Sequence, residues 1–353
     1  MIELPPDRLA LFEEVFRRQT KTNERLQSPV NAHLLTLCTE DLLAGGITAD
    51  ILSDWYGDPV QQYVATRFMG ALHHLVLTGD APELAGHYPS VGGQFNAATF
   101  ADALFPVLHR HAQQVRAFIE GPPQTNEVNR SAVLIGGYSE VVRQTGLPLR
   151  CLEVGASAGL NLLWRNFHYD LGDQTWGDKA SAVRVASDWR GNLPQLVENI
   201  ELHSAAGCDL APIDLLDPDN ATLMEAYVWT DQPIRFDRLR AAIDLAQHSP
   251  PQVEQMGAAD WLDIQLSEPI PGVATVIYHS VVAQYFDADT QTRFRNTIHE
   301  AGARATNEAP LAWLSFEHPE SYKMPDLSLT LWPGGERRHL ATAHPHGAFA
   351  EWH

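Results

Sequence analysis

Cysteine is nearly missing from this chain. Cys38, Cys151 and Cys208 are the three among 353 residues. They are too few, and odd in number, for a disulfide framework, and they fit a reducing compartment. Basic charge is also short: 24 Lys and Arg stand against 44 Asp and Glu, a formal net charge of −20. Phosphates would be repelled at long range, so DNA, RNA and anionic membrane surfaces are poor partners. A neutral or cationic small molecule remains compatible with that field. No apolar run approaches the length that spans a bilayer. The opening MIELPPDRLALFEE has neither a basic start nor an apolar core, the two marks of a secretory leader. The expectation is a soluble cytoplasmic protein. Internal repeats and low-complexity tracts are missing as well, which excludes solenoids and leaves one large domain or two. What is present is core material, with 44% hydrophobic and 19% charged residues, so global disorder is excluded.

Residues 1–147 read as an α-helical region joined by short turns. Pro6–Thr20 carries Leu9, Phe12, Val15 and Phe16 on one face. Ser28-Pro29 precedes an apolar stretch that ends at Gly45-Gly46, and Asp58-Pro59 opens a helix running to Leu77. Thr99–Ile119 and Glu127–Gln144 complete the set, the last one stopped by Gly146 and Pro148. Residues 148–353 change pattern. Leu149–Val154, Asn199–His203, Ala274–Tyr278 and Leu311–Phe316 read as strands, with helical stretches at Asn220–Val228, Arg235–Ala246 and Thr290–Ala303. Phe167–Leu171 and Ala182–Val185 look like a hairpin inserted at about 166–198, around the turn Gly172-Asp173. Leu327–Trp332 and Arg338–His344 flank Pro333-Gly334-Gly335, a second hairpin signal. Alternating strand and helix predicts an α/β fold with a mostly parallel sheet, closed by an antiparallel C-terminal hairpin.

One short stretch, CLEVGASAGLNLL at residues 151–163, reads in two ways. Gly155-Ala156-Ser157-Ala158-Gly159 is G-x-S-x-G, the elbow that presents a hydrolase serine. It is also a glycine-rich turn between a strand and a helix opening near Ala158, where a ligand would rest on free backbone N–H groups. Glu153 ends an otherwise apolar strand. A carboxylate there is costly to bury without a partner. A cradle gives it ligand hydroxyls or a cation to hold; an elbow gives it nothing.

"LEVGASAGLNLL" resembles the first motif of class I S-adenosylmethionine-dependent methyltransferases, an acidic residue followed by G-x-G-x-G. On that resemblance Glu153, Gly155, Ala156, Ser157 and Gly159 hold the cofactor, with Ser157 standing at the middle glycine. "GCDLAP" resembles the second motif, whose aspartate holds the ribose hydroxyls; here this is Asp209, with Leu210 beside it. "GAADWLD" resembles the third, which contacts the adenine through an acidic residue and its neighbour, Asp260 and Trp261. The resemblance covers about residues 148–344. It implies a Rossmann-like methyltransferase sheet, S-adenosyl-L-methionine as cofactor and a small molecule as acceptor. The whole chain resembles a bacterial domain-of-unknown-function family built on such a core. The first and second acidic residues stand 56 apart rather than the roughly 20 of a plain dinucleotide fold, which the inserted hairpin accounts for. No N/D-P-P-Y signature follows the fourth strand.

His279 follows that fourth strand, at the mouth expected of such a site, where an imidazole could take a proton from the acceptor. Glu317 follows the fifth strand and could orient the substrate or a neighbouring base. Either could also be an ordinary residue of its loop. His73-His74, His109-Arg110-His111 and His344-Pro345-His346 match no zinc spacing and read as solvated or core histidines. Asn129 and Arg130 could face a substrate or could begin a solvated helix. Three further readings stay open: a nucleotide-type binding protein without turnover, a serine hydrolase using Ser157, and a structural or partner-binding protein that keeps the fold only.

Overall fold

The computed structural model describes residues 4–320 and 323–353. Along the chain, α1 (Pro6–Arg25), α2 (Pro29–Leu43), α3 (Ile47–Leu52), α4 (Val64–Leu77), α5 (Pro82–Ala85) and α6 (Ala97–Glu120) come first, followed by α7 (Ser131–Thr145). Then come β1 (Leu149–Val154), β2 (His168–Leu171), β3 (Gln174–Gly177), β4 (Arg184–Ala186), β5 (Asp188–Gly191) and β6 (Leu202–Asp209). Next are α8 (Pro218–Ala226), α9 (Pro233–His248), β7 (Val253–Gln255), α10 (Ala258–Gln265), β8 (Ala274–Ser280), α11 (Ala288–Arg304), β9 (Leu311–Glu317), β10 (Asp326–Trp332), β11 (Glu336–Ala343) and β12 (Phe349–Trp352).

The chain forms two compact units: Met1–Thr125 with Asp217–Arg240, and Asn126–Leu216 with Ala241–His353. The boundary expected at 147/148 is therefore displaced. Helix α7 belongs with the sheet, and residues 217–240 belong with the helices. In the helical unit, Phe12, Val15 and Phe16 of α1 are buried at the spacing of one helix face. Helix α4 starts later than expected. Asp58 Oδ1 accepts from Val60 and Gln61 N–H in a tight turn, and Tyr63 is left-handed at φ 55°, so the helix begins only at Val64.

The second unit is an α/β sheet of mostly parallel strands, in the order β5-β12-β11-β10-β9-β8-β1-β6-β7. Strand β1 is parallel to both β6 and β8, and β8 to β9. Strands β9, β10 and β11 pair antiparallel, as the Pro333-Gly334-Gly335 turn predicts. The inserted segment pairs differently from expectation. The Gly172-Asp173 turn closes β2 on β3, and residues 184–186 lie parallel to β2 on its other side. A two-residue turn joins its immediate flanks, so β3 takes the place expected of residues 182–185.

Strand alternation separates the two faces of the sheet. Leu152, Val154 and Ile277 pack with Trp261 of α10 and Phe294 and Ile298 of α11. Tyr278, the next residue of β8, turns to the other face, where its ring meets Tyr138 of α7 at 5.6 Å.

Candidate functional site

The chain enters β1 in mid-sheet, passes to β6 and β7 on one side, then returns to β8 on the other. The ends of β1 and β8 thus flank the point where strand order reverses, the usual crevice of an open parallel sheet. Beyond β1 the backbone turns through Gly155 (φ 71°), Ser157 (φ 52°) and Gly159 (φ 74°), all in the left-handed region. Its N–H groups are largely occupied. Gly155 and Ala156 both donate to the Cys208 carbonyl, at 2.9 and 3.0 Å. Ser157 donates to Asp209 Oδ2 at 2.9 Å, and Leu160 to Asn126 Oδ1 at 2.8 Å. The expected α-helix after the turn is a 3-10 helix, Leu160–Asn166. The Tyr169 hydroxyl takes the Trp164 carbonyl at 2.8 Å, and the chain enters β2 two residues after Asn166.

The glycines serve close approach, but to the protein itself. A Cβ on Gly155 would lie 2.3 Å from Val282 Cγ2, and one on Gly159 2.7 Å from Val253 Cγ2. Ala156 is fully buried. The open cradle expected of residues 155–159 is therefore a closed turn, packed by the loop after β8 and by β7.

Glu153 is 2% exposed on the α7 face. Its Oε2 accepts the Tyr278 hydroxyl at 3.2 Å. Among the described residues its Oε1 takes no hydrogen bond. Burial pushes the carboxyl up to about 8, against the Tyr278 hydroxyl and the field of Arg130, which favour the carboxylate. Nearby, Tyr278 also reaches the Asn161 carbonyl at 3.4 Å. Asn161 is buried, and its Oδ1 has no partner among the described residues. One buried acceptor, Asn161 Oδ1, thus remains unmet near the end of β1. Tyr278 escaped the sequence reading because tyrosine is ordinary strand material; only the register pairing Glu153 with Tyr278 reveals it.

Asp209 ends β6, half-buried. Besides Ser157 N–H it accepts Ala211 N–H on Oδ1 at 2.9 Å, and each oxygen keeps a further lone pair. Leu210 beside it is 76% exposed. The third motif divides. Asp260 lies at the surface and pairs with Arg293 at 2.6 Å. Trp261 is fully buried in the α10–α11 core, its Nε1 bound to Glu254 at 2.8 Å. As an amphipathic-helix core residue, Trp261 has no exposed face for adenine.

His279 and Glu317 do come together: Nδ1 lies 2.6 Å from Glu317 Oε1. The same oxygen accepts Val282 N–H at 2.9 Å. Trp313 Nε1 donates to His279 Nε2 at 3.0 Å. The ring is therefore neutral, with its proton on Nδ1 and its lone pair engaged. Burial acts against the Glu317 carboxylate, but the His279 ring and the N–H groups of Val282 and Ala283 hold its carboxyl below the usual range. His279 packs against Phe294, on the face opposite Glu153. The pair expected to do proton chemistry instead anchors the loop after β8. Val281 there is left-handed at φ 56°, a strained conformation for a β-branched residue.

Asn129 and Arg130 also tie loops. The Asn129 side chain binds the Ala186 backbone and the His346 carbonyl, and Arg130 binds the Pro345 and Ser280 carbonyls. Cys38, Cys151 and Cys208 are buried and free. Among the described residues no helix is long and apolar enough to cross a membrane.

Residues 13–352 match the model of the family described as "Uncharacterized protein conserved in bacteria (DUF2332)", and the chain belongs to that family. No curated protein and no solved structure matches it.

Proposed function

We propose that this DUF2332 protein is an S-adenosylmethionine-dependent methyltransferase acting on a small molecule. The carrying observation is Glu153: a buried carboxyl at the strand-order reversal, held on Oε2 by the Tyr278 hydroxyl, which also reaches Asn161, a buried residue whose Oδ1 has no partner among the described residues. An unmet acceptor selects a ligand that donates, and a carboxyl that ionises on binding selects a cation. Strand order supports the reading, because the five parallel strands run third, second, first, fourth, fifth across the sheet.

The residues fit part of the cofactor. Glu153 and Asn161 suit its ammonium group, Asp209 has lone pairs for a ribose hydroxyl, and exposed Leu210 offers apolar surface for a base. Trp261 does not fit, and the turn N–H groups that are already bonded add nothing. When bound, S-adenosylmethionine supplies an electrophilic methyl group. The chain's own part is placement. Tyr278 fixes Glu153, the Asp209 carboxylate holds the 155–157 turn, and Glu317 holds the loop whose Val282 packs on Gly155. His279 takes no acceptor proton here, since Trp313 occupies Nε2.

That closed imidazole favours a second reading, a protein that holds such a ligand without turnover. Calorimetry with S-adenosylhomocysteine tests the first step. Binding an ammonium group should ionise Glu153, so nearly one proton leaves at pH 7 and the measured heat follows the buffer's ionisation enthalpy. Glu153→Gln should abolish the proton release. No binding by the wild type would overturn the proposal. Binding with no methyl transfer to any acceptor pool would leave the second reading.

A further inference from the structure

The serine that meets a histidine in this protein is not Ser157. Ser90 sits in the short 3-10 helix Pro89–Val91 of the helical unit. Its Oγ is 2.8 Å from His73 Nε2 on α4. On the far side of the ring, Nδ1 is 3.2 Å from the Ala226 carbonyl. A carbonyl only accepts, so Nδ1 carries the proton and Nε2 presents its lone pair to the serine. Ser90 therefore donates to His73. Its oxygen is also 2.9 Å from Thr230 Oγ1, whose hydroxyl then donates to Ser90. His73 and Thr230 are buried, while Ser90 is half-buried. Hydroxyl, ring base and fixed acceptor behind the base follow the order of an activated nucleophile.

We propose that Ser90 is a nucleophile served by His73, and that the helical unit hydrolyses small uncharged esters. The side chains packed about the pair set the substrate class. Tyr88 and Phe236 stand 5.6 and 5.8 Å from the ring and Thr230 binds Ser90, and all three are uncharged. In the reaction the Ser90 oxygen bonds to the ester carbonyl carbon and its proton passes to His73 Nε2. The carbon–oxygen bond to the alcohol breaks, and the alcohol leaves with that proton. Water then attacks the acyl-serine, gives its own proton to Nε2, and the acid leaves as Ser90 regains it. No redox partner is required.

The surroundings of His73 give this pair a signature. The ring packs near Tyr88 and Phe236, at 5.6 and 5.8 Å. Burial pushes it down to about 4, opposed by the Ala226 and Val228 carbonyls and reinforced by Arg240 on α9 and His74 on α4. An ordinary imidazole stops acting as a base near pH 6.5, whereas this one stays unprotonated well below that.

The test treats the full chain with a fluorophosphonate, maps the adduct by mass spectrometry, and follows p-nitrophenyl acetate hydrolysis. The expected result is an adduct at Ser90, with hydrolysis lost in Ser90→Ala. His73→Gln should slow labelling by roughly a hundredfold, the usual scale for a general base. The labelling rate should stay flat from pH 8 down to pH 5. An unlabelled wild type, an adduct at Ser157 alone, or a rate falling with an ordinary imidazole titration near 6.5 would overturn the proposal. The wild-type adduct and its pH profile decide even if His73→Gln does not fold.

Discussion

Replacing Glu153 with glutamine should make this protein more stable, and the gain should grow with pH. Burial pushes the folded carboxyl up to about 8 from its ordinary 4.5. Its folded-state value is raised, so its contribution is fully present below pH 4.5 and is lost as pH rises from there to 8. At pH 7 the folded protein keeps the group protonated while the unfolded chain ionises it. That difference of 2.5 pH units destabilises the native state by about 3 kcal/mol, and by about 5 kcal/mol at pH 9. Glutamine keeps the shape, lets its carbonyl accept the Tyr278 hydroxyl, and carries no charge to desolvate. Glu153→Gln should therefore match the wild type at pH 4, exceed it by about 3 kcal/mol at pH 7, and exceed it further at pH 9. Scanning calorimetry at these three pH values is the assay, because it separates the transitions of a two-unit chain that need not melt as one. A difference that does not change with pH would refute the reasoning, since it would mean that Glu153 ionises freely in the folded state. Pairing the melts with S-adenosylhomocysteine binding tests the corollary. The variant that gains stability should be the one that loses the ligand, as expected where function keeps a costly group in place.

Gly155→Ala places a methyl 2.3 Å from Val282 Cγ2 at φ 71°. It should cost about 1–3 kcal/mol by overpacking, and Val282→Ala should recover much of that in a double-mutant cycle; no recovery would show that Val282 is not the obstacle. Asp209→Ala removes the acceptor of Ser157 and Ala211 N–H, and should weaken S-adenosylhomocysteine binding by about 1.5–3 kcal/mol in calorimetry, whereas unchanged affinity would move the hydroxyl contact elsewhere. Ser157→Gly relaxes a left-handed residue (φ 52°). It should raise the melting temperature slightly and keep binding within about tenfold, roughly 1.4 kcal/mol, with no fluorophosphonate adduct on Ser157 in the parent protein. A tenfold or greater loss would give the hydroxyl a direct part in binding.

What could be read from the sequence followed the strength of the local signal. Strands β1, β8 and β9 are six or seven residues of mostly apolar sequence, and helix stops such as Gly146 name themselves. Strands β5, β7 and β12 have only three or four residues, too short for a period to appear, and tertiary pairing alone makes them strands. Glu153 stood out because a carboxylate in an apolar strand has a cost that something must offset. Its partner Tyr278, and the Trp313 that closes His279, did not stand out, because aromatic residues are what strands ordinarily contain. The G-x-S-x-G pattern drew attention to Ser157, although its glycines make room for Val282 and Val253. The Ser90–His73 contact joins residues that no motif links, and only the packing of α4 against the Pro89–Val91 turn brings them together.

The helical unit is written in two pieces, Met1–Thr125 and Asp217–Arg240, with most of the first half of the sheet unit between them. Asp231 in the second piece accepts the Ser28 hydroxyl and Val30 N–H at the start of α2, and Ala226 holds His73. On the ribosome the helices emerge first, yet they cannot be completed until Arg240 has left the exit tunnel. At about 5–20 residues per second, the early helices wait many seconds while β1 to β6 are made. The sheet waits in turn for β7 to β12. Neither unit can finish before the other has begun, so a gene fragment ending at Thr125 should yield an open, protease-sensitive chain rather than a smaller folded protein.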